Sequence, residues 1–452
     1  MNWLKTLFPR KRRSERIEVR RIPRAEHPIS RSQFTQATLR TLYGLKDAGY
    51  QAYVVGGGVR DLLAGETPKD FDIATDAHPE DVKRIFRSCR LIGRRFVICH
   101  VRWGGEVVEV TTFRGVITDE HERDETGRIL ADNEYGTLET DAFRRDFTVN
   151  ALYYDIRDYA IVDFAGGLHD MQARLIRLIG DPELRYREDP VRMLRAVRIA
   201  NKLSFEIEKD TAAPIPKLAG LLREIPPARL FDEVIKLLQS REAVANLEGL
   251  HRYGLLKQIL PVTDSAMGDA RYGEFLRQAL VNTAERLAND QTVSPAFLYA
   301  ALLWPGVVRE YQRLLQAEGQ HPNDAISQAS ERVLARTLST IMIPKRFSLP
   351  MREIWALQPR LEQTRGGRAK RLLTHPRFRA AYDFLLLRAA CGEVPQALAD
   401  GWTQAQTGEL AAPEPDDAAD GDEGVAPPAR RKRRRRGGRR RRPGAPAPTP
   451  AQ

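Results

Sequence analysis

Two aspartates one residue apart, in the run Lys69-Asp70-Phe71-Asp72-Ile73-Ala74-Thr75, carry the plainest chemical suggestion in the chain. In a strand, side chains two apart project from the same face, so Asp70 and Asp72 would stand side by side with Phe71 turned to the core. Adjacent hard oxygen ligands suit Mg²⁺, which keeps waters and takes the rest of its shell from substrate phosphates. Two such ions about 3.5–4 Å apart could activate an attacking hydroxyl and stabilise a leaving oxygen. Just upstream lies Val54-Val55-Gly56-Gly57-Gly58-Val59-Arg60-Asp61-Leu62-Leu63-Ala64-Gly65. It reads as a strand that ends in glycines, then a short helix from near Val59. Gly57 and Gly58 allow close backbone approach, the helix start offers N–H groups to a phosphate, and Arg60 adds a cation. Gly65 fits the helix stop.

A third acid is expected from a neighbouring strand. Glu109, in Glu106-Val107-Val108-Glu109-Val110-Thr111-Thr112-Phe113, interrupts an apolar run, although an alternating strand would equally turn it to solvent. Asp146, in Arg144-Arg145-Asp146, is the other candidate, and spacing does not decide between them. Further on, Asp189-Pro190 is an ordinary helix start, with Asp as cap and Pro in first position. Along that helix Arg192, Arg195, Arg198 and Lys202 form one stripe, and Met193, Leu194, Val197 and Ala200 face the other way. One side packs; the basic side is expected to meet something anionic.

The elements that must position these residues divide in two. Between about Ser32 and Phe164, short strand-type runs (Tyr53–Val55, Phe71–Ala74, Phe96–Trp103, Glu106–Phe113) alternate with helical segments and Gly-rich turns. From about Met171 to Asp400 strand signals nearly vanish, and helical stretches such as Asp189–Leu203, Ala228–Gln239 and Phe275–Ala288 dominate. An α+β head followed by an all-helical trunk is predicted. Of 452 residues 42% are apolar, enough for a sizeable core. The net charge of +12 is unevenly spread: Arg430–Arg442 holds 11 basic residues, and Glu414–Glu423 before it holds six acids. A polyanionic partner is the first expectation. No apolar run reaches the ~18–20 residues of a membrane span, the longest being Ala296–Trp304. The basic start, Met1–Arg13, lacks the apolar stretch of a signal peptide. Cys89, Cys99 and Cys391 form no CxxC, and the eight histidines show no ligand spacing, so neither disulfides nor a zinc site are expected.

The ordered blocks resemble a known family. Gly57-Gly58-Val59-Arg60-Asp61-Leu62-Leu63 with Asp70-Phe71-Asp72 is similar to the head signature of class II nucleotidyltransferases. That group of the polymerase-β superfamily contains tRNA CCA-adding enzymes and bacterial poly(A) polymerases. The likeness continues through Arg144-Arg145-Asp146-Phe147-Thr148-Val149-Asn150-Ala151-Leu152 and Arg187-Glu188-Asp189-Pro190-Val191-Arg192-Met193-Leu194-Arg195-Ala196. It implies a polymerase-β-like nucleotidyltransferase head, a helical neck and body, and a disordered basic tail. The expected divisions are a basic disordered arm (1–31), the head (32–165), a neck with the nucleotide-selecting helix (166–230), an RNA-binding body (231–400) and a disordered acidic, then Arg-rich tail (401–452).

By this resemblance Asp70 and Asp72 hold Mg²⁺, Asp146 is the third acid, with Glu109 as alternative ligand, and Gly57, Gly58 and Arg60 approach the triphosphate. Arg144 and Arg145 contact sugar or phosphate, and Asp189 and Arg192 read the base edge, a use that suits an accepting carboxylate and a forked guanidinium. The poly(A) polymerase branch is favoured by Leu91–Val101, by Arg346–Trp355 and His375–Phe384, and by an arginine block suited to gripping RNA phosphates. The expected activity is template-independent addition of AMP from ATP to RNA 3′ ends. The expected partners are ATP, RNA 3′ ends and RNA-decay proteins, without DNA, for a cytoplasmic monomer. A CCA-adding enzyme is the same-fold alternative, and a non-catalytic RNA-binding protein the alternative of another class.

Overall fold

The computed structural model describes residues 19–93, 97–115, 134–363 and 367–407. The head is an eight-stranded sheet of β1 (Arg20–Ile22), β2 (Ala52–Val55), β3 (Asp72–Thr75), β4 (Cys89–Ile92), β5 (Ile98–Trp103), β6 (Glu106–Thr112), β7 (Leu152–Asp155) and β8 (Ile161–Asp163). Their order across the sheet is β1-β8-β7-β2-β3-β6-β5-β4. β3 and β6 pair in parallel, placing Asp72 opposite Glu109, and the other described neighbours in the sheet are antiparallel. Helices α1 (Gln36–Asp47), α2 (Gly57–Leu63), α3 (Pro79–Ile85) and α4 (Leu138–Arg144) complete the head. One core gathers Leu42, Val54, Ile73 and Val110, and another Tyr53, Val55, Ala74 and Tyr153. β2 thus feeds both sides of the sheet, which explains its unbroken apolar run.

One expected strand begins late. β2 ends at Val55, paired with Asp72, and the chain then turns away at Gly56. Residues 70 and 71 therefore have no strand to pair with on that side, so β3 begins at Asp72 and Asp70 lies in the preceding turn. Phe71 still enters the core as expected.

From the head the chain passes through α5 (Gly167–Ala173), α6 (Pro182–Glu188) and α7 (Val191–Leu203) into a helical trunk. The trunk has strand content of only two residues at a time, a parallel pair Leu175–Ile176 with Glu206–Ile207. Its core continues that of α7, where Met193, Leu194, Val197 and Ala200 are buried as the stripe predicted. The apolar run Ala296–Trp304 lies inside the helix Pro295–Glu318, which continues through Pro305. Proline costs that helix a ladder bond; burial of Tyr299, Leu302, Trp304 and Val307 around it outweighs the loss. No helix among the described residues is long and apolar enough to cross a membrane.

Described residues at both ends of the chain form regular elements. Arg20–Ile22 adds β1 to the sheet edge against β8, where Arg21 pairs with Asp155 and Asp158 at 2.7 and 2.6 Å. At the other end Gln396–Thr407 is helical, because Trp402 buries its ring and donates Nε1–H to the Leu361 carbonyl at 2.9 Å. Residues 1–18, Arg94, Arg95, Phe96 and 408–452, with the arginine block, lie outside the described residues.

Candidate active site

β2 delivers the chain into Gly56 at φ +78° and ψ −138°, a conformation that L side chains rarely adopt. A Cβ placed there would stand 3.6 Å from Asp72 Oδ2 and 3.7 Å from Arg145 Nη1, so Gly56 keeps open the space between them. Gly58 has a different reason: a Cβ would come within 2.7 Å of the Phe71 ring. Gly57, in the first turn of α2, would meet Arg60 Nη2 at 3.5 Å. Gly56 escaped the expected site set, although it belongs to the same triplet.

The acids converge from two strands. Asp72 is half-buried, Asp70 exposed in the turn before it, and Glu109 faces Asp72 across the parallel pair. Burial pushes the Asp72 carboxyl up to about 6, and Glu109 and Asp70 add to that push while Arg145 and Arg195 oppose it. Across the next strand His100 Nε2 lies 3.3 Å from Glu109 Oε1, a pairing the sequence did not announce.

Asp146 departs from expectation. It is buried, its Oδ1 accepts from Phe147 N at 2.8 Å and Asn150 Nδ2 at 3.0 Å, and its Oδ2 lies 3.0 Å from Arg195 Nη2. Burial alone would raise its pKa, but Arg195 and these donors outweigh it and hold the carboxyl at about 2. Strand register thus sets Glu109 opposite Asp72, while Asp146 is paired with Arg195 of the neck.

The basic residues are held as follows. Arg60 is buried, donating to Asp61 Oδ1 at 2.6 Å and Asn150 Oδ1 at 2.7 Å, rather than standing open as a cation. Arg144 donates to the Gly115 carbonyl at 2.8 Å. Arg145 donates to Asp141 Oδ2 at 2.9 Å and to the Tyr153 hydroxyl at 2.9 Å, with its guanidinium over the Tyr153 ring. Asp189 caps Val191 N at 3.3 Å and accepts from Arg229 Nη2 at 2.8 Å. Burial would raise the Asp189 carboxyl, but Arg229 outweighs it and holds the group below its ordinary range. Arg192 donates through Nη1 to the Arg185 carbonyl and Glu188 Oε2, at 2.6 and 2.9 Å. Arg229 lies forty residues from Asp189, and nothing local in the sequence points to it.

The anions expected for the basic stripe of α7 are in good part the protein's own. Arg192 meets Glu188, Arg195 meets Asp146, and Lys202 meets Asp61. The last two pairs tie α7 to the head. Arg198 keeps a buried Nε without a hydrogen-bond partner among the described residues. Burial, with Arg195 and Arg60 nearby, holds its pKa below the usual guanidinium range, against Glu233.

No group of three or more His, Cys, Asp or Glu among the described residues is placed to hold a metal ion. Carboxylate oxygens are nevertheless the donor type that a hard divalent cation takes. Glu109 and Asp70 both push the Asp72 carboxyl up, a repulsion that a cation among them would relieve. Such an ion completes its shell from water and phosphate oxygens.

Comparison with known proteins follows the same division. A family model described as the poly A polymerase head domain matches residues 52–177. One described as a probable RNA and SrmB-binding site of polymerase A matches 204–267, and a polymerase A arginine-rich C-terminus matches 318–441. Poly(A) polymerase I of Salmonella typhi is 46% identical over 396 residues, covering 85% of each chain. A CCA-adding enzyme of Lactobacillus helveticus is 41% identical over 196 residues, covering 43% of this chain and 48% of its own. The crystal structure of the Bacillus stearothermophilus CCA-adding enzyme in complex with CTP superposes with a TM-score of 0.54 at 29% identity, covering 83% of this chain and 82% of that one. Identity that runs through head, neck and trunk, on a nucleotidyltransferase fold, places the chain in the poly(A) polymerase family of nucleotidyltransferases.

Proposed function

We propose that the chain is a template-independent polynucleotide adenylyltransferase, which extends RNA 3′ ends with AMP from ATP. The observation that supports this reading is the register that sets Glu109 opposite Asp72, with Asp72 beside Gly56 and Asp189 held by Arg229 on the adjoining neck. In the reaction the terminal 3′ oxygen forms a bond to the α-phosphorus of ATP, the bond to the β-phosphate oxygen breaks, and pyrophosphate leaves. The 3′-hydroxyl proton departs to solvent or a nearby base.

Asp70, Asp72 and Glu109 would hold Mg²⁺, which supplies charge neutralisation of the phosphates and a more acidic attacking hydroxyl. The chain supplies the rest by positioning. Gly56 leaves room for phosphate beside Asp72, and the Gly57–Gly58 backbone lies along the same wall. Arg60 and Arg195 are engaged by Asp61 and Asp146, so Arg198, whose Nε has no hydrogen-bond partner among the described residues, is the cation of this group left to favour a polyanion. Arg144 and Arg145 face the sugar and phosphates from α4, with Arg145 oriented by Asp141 and Tyr153. Asp189 and Arg192 select adenine by their hydrogen-bonding edges. Each is fixed before the base arrives, through Arg229 and Glu188, so little ordering remains to oppose binding. Asp146 acts through Arg195, as the joint between head and neck.

Adenylation is favoured over CCA addition because the similarity to poly(A) polymerase I covers nearly twice the share of the chain that the CCA-adding match covers. Extension of an unstructured RNA with each nucleotide supplied separately tests the choice. Long A-only products are expected; efficient CTP incorporation would overturn it.

A further inference from the structure

The trunk carries a surface that the chemistry above leaves unused. It is the corner between the helices Pro322–Thr337 and Lys345–Gln363. Leu338, Met342 and Leu349 are 48, 53 and 56% exposed there. Of the nine exposed large apolar side chains among the described residues, three fall within this one corner, which marks it as a contact surface rather than scattered exposure. Ile341 and Ile343 on either side of Met342 are buried, so the backbone is anchored while Met342 is held outward.

Its charge is mostly positive. Residues 331–353 contain Arg332, Arg336, Lys345, Arg346 and Arg352, with Glu331 and Glu353 at the two ends. Glu331 is paired with Arg352, Glu353 with Arg377 and Arg332 with Glu310, whereas Arg336, Lys345 and Arg346 are exposed. The adjoining 219–239 stretch is balanced, with Glu224, Asp232 and Glu233 against Arg223, Arg229 and Lys236, so the surplus of the corner remains. Arg346 lies over the Phe347 ring at 4.8 Å, and Phe347 stacks on Phe231 at 5.8 Å. A planar cation on a supported aromatic ring, beside exposed apolar side chains and exposed cations, suits unpaired bases joined by phosphates.

Its position suits the same ligand. Met342 N–H donates to the Pro227 carbonyl at 3.1 Å, at the start of the helix Pro227–Leu238. Arg229 in the first turn of that helix holds Asp189. The corner is thus attached to the element that frames the nucleotide-reading pair.

We propose that the Leu338–Leu349 corner binds single-stranded RNA just behind its 3′ end, with bases against Met342, Leu349 and the Arg346–Phe347 platform and phosphates against Arg336 and Lys345. The assignment rests on the adenylyltransferase reading and names where the primer strand lies.

The test uses the full chain, a short fluorescein-labelled oligoadenylate and two double variants, Met342→Glu with Leu349→Glu and Lys345→Ala with Arg346→Ala. All four positions are exposed, and an unchanged thermal midpoint checks the fold. The apolar pair is expected to weaken RNA binding roughly tenfold per lost base contact, raising KM for RNA while KM for ATP and kcat at saturating RNA hold. The basic pair is expected to flatten the log–log salt dependence by about 0.7, for the one phosphate assigned to Lys345, and to weaken binding further through the lost Arg346 platform. Unchanged RNA affinity in both variants overturns the proposal. So does a wild-type dimer in sedimentation that the glutamates dissolve with RNA affinity intact, since the corner would then join two copies. Weakened RNA binding in variants of a chain that adds no AMP would support the surface and sink the adenylyltransferase reading instead.

Discussion

Gly56 and Glu109 decide the local chemistry, the first by what it lacks and the second by the register that sets it opposite Asp72. Replacing Gly56 with Ala puts a methyl between Asp72 and Arg145 and forces an unfavourable φ, at about 1–3 kcal/mol of stability. Gly65→Ala is the control: φ there is +82° but nothing lies within 4 Å of the added carbon. Both variants are expected to melt earlier, and only Gly56→Ala to lose kcat/KM when assayed well below its melting point. Equal activity in the two would remove Gly56 from the site. The acids separate in the same way. Glu109→Gln is expected to lower kcat by about 10²–10³-fold, the range for losing one fixed electrostatic group, with the melting point unchanged. Asp146→Asn leaves Arg195 without its buried partner, so it is expected to cost about 2 kcal/mol, at the low end for a broken buried pair because Arg195 is partly solvated. Asp70, Asp72 and the glycines were legible in the sequence because their relation is local. The placing of Glu109 opposite Asp72 was not, since it depends on which strand pairs with β3, and Arg229 was invisible because its partner lies forty residues away.

At the scale of elements, the periods of 2 and 3.6 located β2, β6 and α7 to within a residue or two, while tertiary packing decided their ends. Asp70 fell outside β3 once β2 turned away at Gly56, and one helix runs on through Pro305 because the side chains around it are buried. Charged contacts between helices are the least legible, and one of them gives a pH prediction. Glu310, in the helix Pro295–Glu318, accepts from Arg313 at 2.9 Å and from Arg332 of the following helix at 2.8 Å. Arg313 first, then Arg332, hold its carboxyl at about 2. A folded-state value below the ordinary glutamate value of 4.5 means that the pair's stabilisation is complete above that value and disappears as pH falls towards 2. Thermal midpoints recorded from pH 5 down to pH 2 are therefore expected to fall more steeply for the wild type than for Glu310→Gln. Parallel curves would show that the two arginines contribute nothing measurable there.

At the scale of the whole molecule, the head carries a mixed sheet with Asp72 and Glu109 on the interior strands β3 and β6, α7 ties neck to head through Arg195–Asp146 and Lys202–Asp61, and the helical trunk shares the core of α7. That division was legible from the switch in hydrophobic period, because each region must bury its own stripe. The sequence beyond residue 407 is marked by its charge. Eleven basic residues in Arg430–Arg442 follow six acids in Glu414–Glu423, so the stretch brings net positive charge. Its effect should be on holding RNA near, not on the chemical step. A chain ending at Thr407 keeps the Trp402 contact to Leu361 and so is expected to fold and melt as the full chain does. Its kcat at saturating RNA and its KM for ATP should be unchanged, since every residue assigned to the nucleotide lies upstream. Its affinity for long RNA should fall, and the slope of log K against log salt should flatten by about 0.7 for each phosphate the arginines had neutralised, several units in all. Tethering also predicts a length effect: a second grip raises effective concentration only when the RNA can reach both sites, so short oligoadenylates should lose little on truncation and long ones much. If truncation instead lowers kcat on short and long RNA alike, at every salt concentration, the arginine block belongs to the catalytic machinery and the division of labour between head and tail is wrong.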